Sequence, residues 1–202
     1  MTLPARIEAA LDTPVRRLNP LHGGDLSEVA RADLACDRAV VAKTGPMVET
    51  EARMLRAMAE AGAPVPRLLH AEAGLILLEH LSETPPTPPG WRALGTGLAR
   101  LHATEGQTFG WDEDYAFGPV AIVNTPAQNW PDFWAENRLR PALPELPPEI
   151  AARLEALCRR LRDHIPVAPR ASLLHGDIWA GNALFSGDRA WLIDPACYHG
   201  DG

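Results

Sequence analysis

Two short polar segments near the end of this 202-residue chain constrain its fold more than any other feature. The first reads His-Gly-Asp-Ile-Trp-Ala-Gly-Asn from His175 to Asn182, and the second ends a short apolar stretch at Asp194. Asp177 and Asn182 are five positions apart, so one short loop can turn both side chains toward the same cavity. An Asp, an Asn and a second Asp delivered by a strand form the polar set that phosphoryl transfer from ATP requires.

Each member of this set has a chemical role in such a reaction. We interpret Asp177 as the base that orients the accepting hydroxyl, and Asn182 and Asp194 as ligands of Mg²⁺. Carboxylate and amide oxygens suit Mg²⁺ and not zinc. An isolated Asp–Asn pair also occurs by chance, where each residue only caps a turn. The site is favoured by the whole sequence of features: an apolar strand, His-Gly-Asp, Asn, a hairpin and then Ile-Asp.

A cation that binds phosphate is the next requirement, and Lys43 is the candidate. It ends an apolar strand predicted over 38–43, although a lysine at that position can also simply reach solvent. On the next predicted helix, over 47–61, Glu51 lies on the apolar stripe and Glu49 lies on the charged face. Because a carboxylate on an apolar stripe needs a cation, we predict that Glu51 and not Glu49 pairs with Lys43.

A glycine pair upstream of Lys43 is a further candidate for binding the nucleotide. Gly23 and Gly24, with Ser27 close behind, precede the first strand of a predicted hairpin. Backbone N–H groups in such a turn can cradle phosphates. Paired glycines are also common in ordinary turns, so it is their position before Lys43 that favours the phosphate interpretation.

The balance of strands and helices changes near the proline-rich segment 84–90. Residues 1–83 are predicted to be mainly strands with one main helix, and residues 84–202 mainly helices. We therefore expect an α+β protein, with an antiparallel sheet in a nucleotide-binding N-lobe and a mainly helical C-lobe for catalysis and acceptor binding. Where the last N-lobe strand meets the connector, the backbone edge that could pair with adenine is formed by Glu79, His80 and Leu81.

Composition narrows the expected partners and compartment. The net charge is -7 and no stretch is rich in Lys or Arg, so we expect neither a nucleic-acid nor a membrane partner. The longest strongly apolar run, Leu75 to Leu78, is too short to cross a bilayer. The first residues lack the apolar segment of a secretion signal, and the three scattered cysteines fit free thiols. We therefore expect a cytoplasmic protein.

These segments resemble the fructosamine kinase (ketosamine 3-kinase) family, within the aminoglycoside-phosphotransferase and protein-kinase-like superfamily. That family typically shows His-Gly-Asp-Leu-Trp-Ser-Gly-Asn followed later by Asp-Pro-Ala, which is similar to the segments 175–182 and 194–196 here. The resemblance runs in order over nearly all of the chain. Other segments that carry it are Gly23-Gly24-Asp25, Lys43, Glu51-Ala52, Leu78–Leu81, Leu98–His102, Phe109-Gly110-Trp111 and Asn129–Leu139.

The resemblance implies a protein-kinase-like fold and ATP-dependent phosphorylation of a sugar hydroxyl on ketosamines, either small molecules or protein-bound adducts. Such a reaction would serve the repair of glycated proteins. In this family pattern Asp177 is the base, Asn182 and Asp194 hold Mg²⁺, and Lys43 with Glu51 positions the phosphates. The family continues with roughly another third of helical chain, so we expect the C-lobe to be incomplete in this sequence.

Two other functions stay open on the sequence alone. One is a small-molecule kinase of the same superfamily that acts on an aminoglycoside or a choline-type acceptor. The other is a non-catalytic ATP-binding fragment, although a pseudoenzyme usually loses at least one of the four polar residues retained here. The residues that contact the acceptor are equally open, and the candidates near the irregular segment 104–129 are Asp112, Asp114, Asn129 and Trp130.

Overall fold

The computed structural model describes residues 1–21 and 27–202, which form an α+β chain with two compact units. The first unit combines Met1–Arg100 with Asp177–Ala196, and the second combines Leu101–Gly176 with Cys197–Gly202. Every described residue that we expect to act in phosphoryl transfer lies in the first unit. The division of functions between residues 1–83 and 84–202 stays a prediction.

An antiparallel sheet of five strands forms the centre of the first unit. In chain order the strands are β1 (Val15–Leu21), β2 (Glu28–Leu34), β3 (Ala39–Thr44), β4 (Leu68–Glu72) and β5 (Leu75–Glu79). In space their order is β1-β2-β3-β5-β4, so β3 is hydrogen-bonded to a neighbour on each side. Lys43 is therefore carried by a strand whose backbone is fixed along both edges.

Two helices, α1 (Leu3–Leu11) and α2 (Val48–Glu60), cover this sheet. Successive side chains of a strand point to opposite faces, and β5 is buried on both. Its Leu75 and Leu77 share a core with Ile7 of α1, while Ile76 and Leu78 share a second core with Val48 of α2. Just beyond α2, Gly62 adopts a positive φ of 76°, which explains why the helix stops at the glycine predicted to end it.

The rest of the chain contains one long helix and several short elements. In chain order they are α3 (Pro88–Ala103), β6 (Tyr115–Phe117), β7 (Val120–Ile122), α4 (Trp130–Trp134), α5 (Pro148–Cys158), β8 (Ser172–Leu174), β9 (Ala183–Ser186), β10 (Arg189–Leu192) and β11 (Tyr198–Gly200). In the second unit, β6 pairs with β7 and β8 pairs with β11. In the first unit, β9 and β10 form the predicted hairpin around Gly187.

Residues 131–140 are helical as predicted, although the type of helix changes along them, whereas the predicted helix 148–164 is too long at its C-terminal end. The α-helix α4 passes into a π-helix over Ala135–Leu139 and a 3₁₀-helix over Arg140–Glu145, where Pro141 and Pro144 cannot donate backbone hydrogen bonds. Helix α5 ends at Cys158. Strand β1 was not predicted, because its charged and mostly exposed residues hide the alternation of a strand.

Aromatic rings build the core of the second unit. Phe109, Trp130 and Phe133 are buried together, and the rings of Trp130 and Phe133 stack with centroids 5.4 Å apart. Tyr198 of β11 stacks on Phe133 at 5.6 Å. The aromatic residues around 130–134 are therefore used for packing in this unit.

Among the described residues, no helix combines the length and the apolar character needed to span a membrane.

Candidate active site

A buried lysine joins two carboxylates at the centre of the first unit. The Lys43 ammonium donates to Glu51 Oε1 at 2.6 Å and to Asp194 Oδ1 at 2.5 Å. Lys43 is 6% exposed and Glu51 is 2% exposed, whereas the side chain of Asp194 is 41% exposed. The structure thus brings together the three charged residues that the sequence places 8 and 151 positions apart.

The choice between Glu49 and Glu51 follows from the geometry of α2. Glu51 shares the buried stripe with Met54, Leu55 and Met58, and Glu49 is exposed on the other face. Helix α2 packs on the sheet through that stripe, so only Glu51 can reach the lysine of β3. The pairing predicted between Glu51 and Lys43 is the one that the structure contains.

Electrostatics keep Lys43 charged despite its burial. Burial alone lowers the pKa of an ammonium, but the carboxylates of Glu51 and Asp194 outweigh it and raise the pKa of Lys43 above its ordinary value. The ammonium is therefore a permanent positive charge at neutral pH. Since Asp194 is partly exposed, that charge lies within reach of the surrounding cavity and is not sealed in the core.

Asp194 holds an uncommon backbone conformation, with a φ of 54°. Aspartate tolerates this left-handed region better than most residues, yet the Pro195 that follows disfavours helical conformations at the preceding position. Such a conformation persists when the surroundings over-determine it, as the bond to Lys43 does here. The strain is consistent with a side chain that is aimed at a function.

The loop of Asp177 and Asn182 is closed by its own hydrogen bonds. Asn182 is buried, and its Nδ2 donates both to the Asp177 backbone oxygen at 2.8 Å and to Asp177 Oδ2 at 3.0 Å. The Trp179 indole folds across Gly181, where a Cβ atom would lie 2.3 Å from the ring. The Trp-Ala-Gly segment therefore acts as a compact turn that sets the two polar residues against each other.

The β9–β10 hairpin brings this loop to Asp194. Asn182 immediately precedes β9, and one residue, Ile193, separates the end of β10 from Asp194. The Ile193 N–H donates to the Asn182 backbone oxygen at 3.0 Å, which extends the pairing beyond the strand ends. Antiparallel pairing thus delivers both predicted metal ligands to one end of the same hairpin.

A cavity of about 590 Å³ opens beside Lys43 and Asp194. Its apolar walls include Val29, Val41 and Leu184, and its remote end is formed by Glu79, His80 and Leu81. This volume lies within the range of cofactor and ligand pockets. The cavity therefore joins an apolar compartment to a charged one, as a ligand with a flat ring and an anionic tail requires.

The remaining predicted residues have the following positions. Gly23 and Gly24 lie outside the described residues, and Ser27 directly precedes β2. The Glu79 side chain accepts a hydrogen bond from the Arg67 backbone N–H at 2.9 Å, so it helps to fix the end of β5. Burial, with a smaller effect of Arg31, lowers the pKa of His80, which keeps its ring neutral at pH 7.

Sequence reasoning missed the apolar side chains that line the cavity. Val41 lies two positions before Lys43 on β3 and so points to the same face, and Val29 of β2 lies directly opposite Lys43. Once Lys43 is assigned to the site, the strand pattern is enough to predict Val41 and Val29 beside it. Leu184 could not be predicted in this way, because its contribution depends on how the β9–β10 hairpin packs.

Most of the residues considered for acceptor binding have structural partners in the second unit. Asn129 caps α4 by accepting from the Asp132 N–H at 3.0 Å, and Trp130 is a core residue. Asp114 accepts from the Asn124 N–H at 2.7 Å. Asp112 lies near His199, and burial lowers the pKa of His199 by more than the Gly110 backbone and the charge of Asp112 raise it.

Comparison with solved structures defines the class of protein. An ADP-bound aminoglycoside phosphotransferase, APH(2'')-Ib, superposes with a TM-score of 0.61 over 98% of this chain and 71% of its own, at 17% identity. A structure from Thermobifida fusca, named as a candidate fructosamine-3-kinase, superposes with a TM-score of 0.89 at 28% identity, over 98% of this chain and 74% of its own. The fold is protein-kinase-like.

The chain belongs to the fructosamine kinase family, whose model matches residues 6–202. Among curated proteins, a probable ketoamine kinase of Escherichia coli is 37% identical over 134 residues, which cover 62% of this chain. The match covers 46% of the E. coli protein, so the chain spans about half the length of that relative. The expected fold and family are confirmed.

Proposed function

We propose that this chain carries the nucleotide-binding and phosphoryl-transfer residues of an ATP-dependent kinase that phosphorylates a sugar hydroxyl of ketosamines. The observation that carries the proposal is the Lys43 ammonium held between Glu51 and Asp194 at the wall of a cavity. A buried cation fixed by two carboxylates is suited to meeting the phosphates of a nucleotide. Membership of the fructosamine kinase family supports the acceptor class.

The shape of the cavity supports ATP as the donor. Its apolar walls suit an adenine ring, and the backbone at Glu79, His80 and Leu81 would supply the edge that pairs with it. We assign Gly23, Gly24 and Ser27 to the phosphates on sequence grounds. The ADP-bound phosphotransferase that shares the fold adds support for a nucleotide ligand.

The polar residues also fit a magnesium ion. Asn182 Nδ2 is committed to Asp177, which turns the amide oxygen away from that bond, and Asp194 uses only Oδ1 to bind Lys43. An amide oxygen and a second carboxylate oxygen are ligands of the kind that Mg²⁺ takes. Among the described residues there is no cluster of three or more His, Cys, Asp or Glu side chains that could hold a metal by itself. This agrees with an ion that takes few protein ligands and shares phosphate oxygens and water.

The chemistry of the chain then follows from its own residues. When bound, ATP supplies the phosphoryl group and Mg²⁺ neutralises charge on the phosphates. Asp177, held through Oδ2 by Asn182, orients the acceptor hydroxyl and takes its proton. Lys43 binds the phosphates, and Glu51 keeps its ammonium in place. Because Glu51 holds Lys43 and Asn182 holds Asp177, the site is preorganised for charge stabilisation.

The acceptor assignment goes further than the donor assignment. We propose a ketosamine, free or attached to a protein, and a role in the repair of glycated proteins in the cytoplasm. The net charge of -7 makes an anionic nucleic acid an unfavourable partner. The cysteines Cys36, Cys158 and Cys197 are all free thiols, which suits a reducing compartment.

A panel of acceptors tests this proposal in the full-length protein. ADP release is measured with fructoselysine, ribuloselysine, an aminoglycoside and choline, with Asp177→Asn as the blank. We expect release to depend on a ketosamine and to disappear in the variant. Release only with the aminoglycoside or choline would show that the acceptor is not a ketosamine. ATP binding without turnover on any acceptor would indicate a non-catalytic protein.

A further inference from the structure

A second cleft of about 590 Å³ lies in the first unit, apart from the nucleotide cavity. It is formed by the C-terminal half of α2, the segment that leads into β4, and β10. Of its lining residues, only Pro66 and Glu79 also line the nucleotide cavity. Lys43 lines the nucleotide cavity but not this cleft. Neither the proposed catalysis nor nucleotide binding uses this cleft.

Three arginines face the cleft, Arg56 from α2, Arg67 from the approach to β4 and Arg189 from β10. None of their guanidinium groups forms an ion pair with another residue in the described ranges 1–21 and 27–202. By contrast, Arg6, Arg16 and Arg140 on other surfaces each contact a carboxylate. In a chain with a net charge of -7, three uncompensated cations in one cleft form a local reversal of charge.

The other titratable groups of the cleft do not cancel this charge. Glu79 is the carboxylate in the lining, and its Oε1 accepts from the Arg67 backbone N–H at 2.9 Å. His70 also lines the cleft, with its Nε2 3.5 Å from Glu72 Oε2. Three guanidinium groups therefore face one carboxylate that is already hydrogen-bonded.

The walls of the cleft are apolar, and one of its arginines packs on an aromatic ring. Leu55, Val65 and Leu68 contribute aliphatic surface. The Arg189 guanidinium carbon lies 4.5 Å above the centre of the Trp191 ring, a cation–π contact that limits the freedom of the side chain. A planar guanidinium restricted in this way presents a fork of donors that matches a phosphate or carboxylate group.

We propose that this cleft is a binding site for a small anionic metabolite with an apolar body and a phosphate or carboxylate group. The arginines contact the anionic group, and the aliphatic walls cover the body. Its volume is that of a small-molecule site, so the occupant is a small molecule and not a macromolecule. The ligand is distinct from ATP because the lysine that meets the nucleotide phosphates does not line this cleft.

Phenyl phosphate is a suitable probe, and benzyl alcohol is its neutral counterpart. Calorimetric titration is carried out on the wild-type protein and on Arg67→Ala and Arg189→Ala. Arg92→Ala is the matched control, since Arg92 is exposed on α3 in the same unit and lies outside the cleft. The double variant Lys43→Met with Glu51→Leu reports any binding of the probe in the nucleotide cavity, because replacing both partners leaves no buried carboxylate without a cation.

We expect saturable binding of phenyl phosphate and none of benzyl alcohol. Each cleft variant should lose about tenfold in affinity, since it removes a charge-assisted hydrogen bond, while Arg92→Ala and the double variant of Lys43 and Glu51 keep the wild-type affinity. Arg189→Lys should lose less than Arg189→Ala because it keeps the charge. Unchanged affinity in both cleft variants, or a loss in the double variant of Lys43 and Glu51 as large as theirs, would overturn the proposal.

Discussion

The two compact units bury polar groups in opposite ways. In the first unit, the charged pair of Lys43 and Glu51 is buried but connects through the partly exposed Asp194 to an open cavity. In the second unit, Asn124 is fully buried, its Nδ2 donates to the Glu113 backbone oxygen, and its Oδ1 accepts from Arg138. Charge that reaches a cavity marks a site for a ligand, and a closed hydrogen-bond network holds the chain together.

The network of the second unit depends on the π-helix over Ala135–Leu139. Asn137 Nδ2 donates to the Thr125 backbone oxygen at 2.7 Å, and Arg138 Nη2 donates to Asn124 Oδ1 at 2.8 Å. The two consecutive residues therefore bind the same extended segment. Arg138 also lies 4.6 Å above the Phe133 ring, so its charge is balanced by an aromatic face and by carbonyl oxygens.

The largest effect is expected at Asp177. In Asp177→Asn, the amide oxygen can still accept the bond that Asn182 donates, so the loop keeps its shape. Turnover should nevertheless fall by about 10³-fold because the base is lost. The measurement is steady-state ADP release in the full-length protein, with thermal unfolding as the check on folding.

Asp37→Asn is the matched control for this variant. Asp37 is exposed in the same unit and has a positive φ of 56°, which asparagine also tolerates. Its turnover should equal that of the wild type. Equal turnover in Asp177→Asn and Asp37→Asn would remove Asp177 from the chemistry.

The second unit should respond in stability and not in ligand binding. Asn124→Ala leaves Arg138 and the Glu113 backbone oxygen without the asparagine partner, at a cost of about 2 to 3 kcal/mol. Asn129→Ala removes only a helix cap and should cost about 1 kcal/mol. Urea unfolding measures both, and a smaller loss for Asn124→Ala than for Asn129→Ala would contradict the closed network.

A smaller effect is expected in the loop between Asp177 and Asn182. In Gly181→Ala, the new methyl group collides with the Trp179 indole, which is 63% exposed and can move aside. The cost should be about 1 kcal/mol, with a shift in tryptophan fluorescence. Adding Trp179→Leu should remove most of that cost, whereas an equal cost in the Trp179→Leu background would show that the indole is not the obstacle.

The cysteines provide a comparison of the two units with no expected effect on stability or activity. A hydrogen bond from Arg38 lowers the pKa of Cys36, which is exposed on the β2–β3 turn. Burial raises the pKa of Cys197, in the second unit, to about 12. Iodoacetamide at pH 8 should therefore label Cys36 first and Cys197 only after unfolding, because the thiolate is the reactive form. Labelling of Cys197 at the rate of Cys36 in the native protein would contradict its burial.

Local patterns carried much of the first unit. The apolar period of α2 distinguished Glu51 from Glu49, and the spacing of Asp177, Asn182 and the following hairpin located the polar loop. These signals are local because helical period and hairpin pairing depend on neighbours in the chain. These local patterns predict which charged residues matter, but not every contact between them.

Long-range packing set what the sequence could not predict. Lys43 and Asp194 are 151 positions apart, and no spacing shows that their side chains touch. Asn137 and Arg138 of the π-helix bind Thr125 and Asn124, and no local pattern in the sequence indicates these contacts. The arginines of the second cleft come from α2, the approach to β4 and β10, so only folding brings them into one lining.

Calorimetric titration of ATP with Mg²⁺ tests the central claim most directly. The chosen variant is Lys43→Met with Glu51→Leu, because replacing both partners avoids leaving a buried carboxylate without a cation. Asn124→Ala is the control for lost stability, since it weakens the second unit alone. We predict that the double variant loses at least about tenfold in ATP affinity and that Asn124→Ala loses none. Wild-type affinity in the double variant would show that the buried lysine is not the nucleotide site.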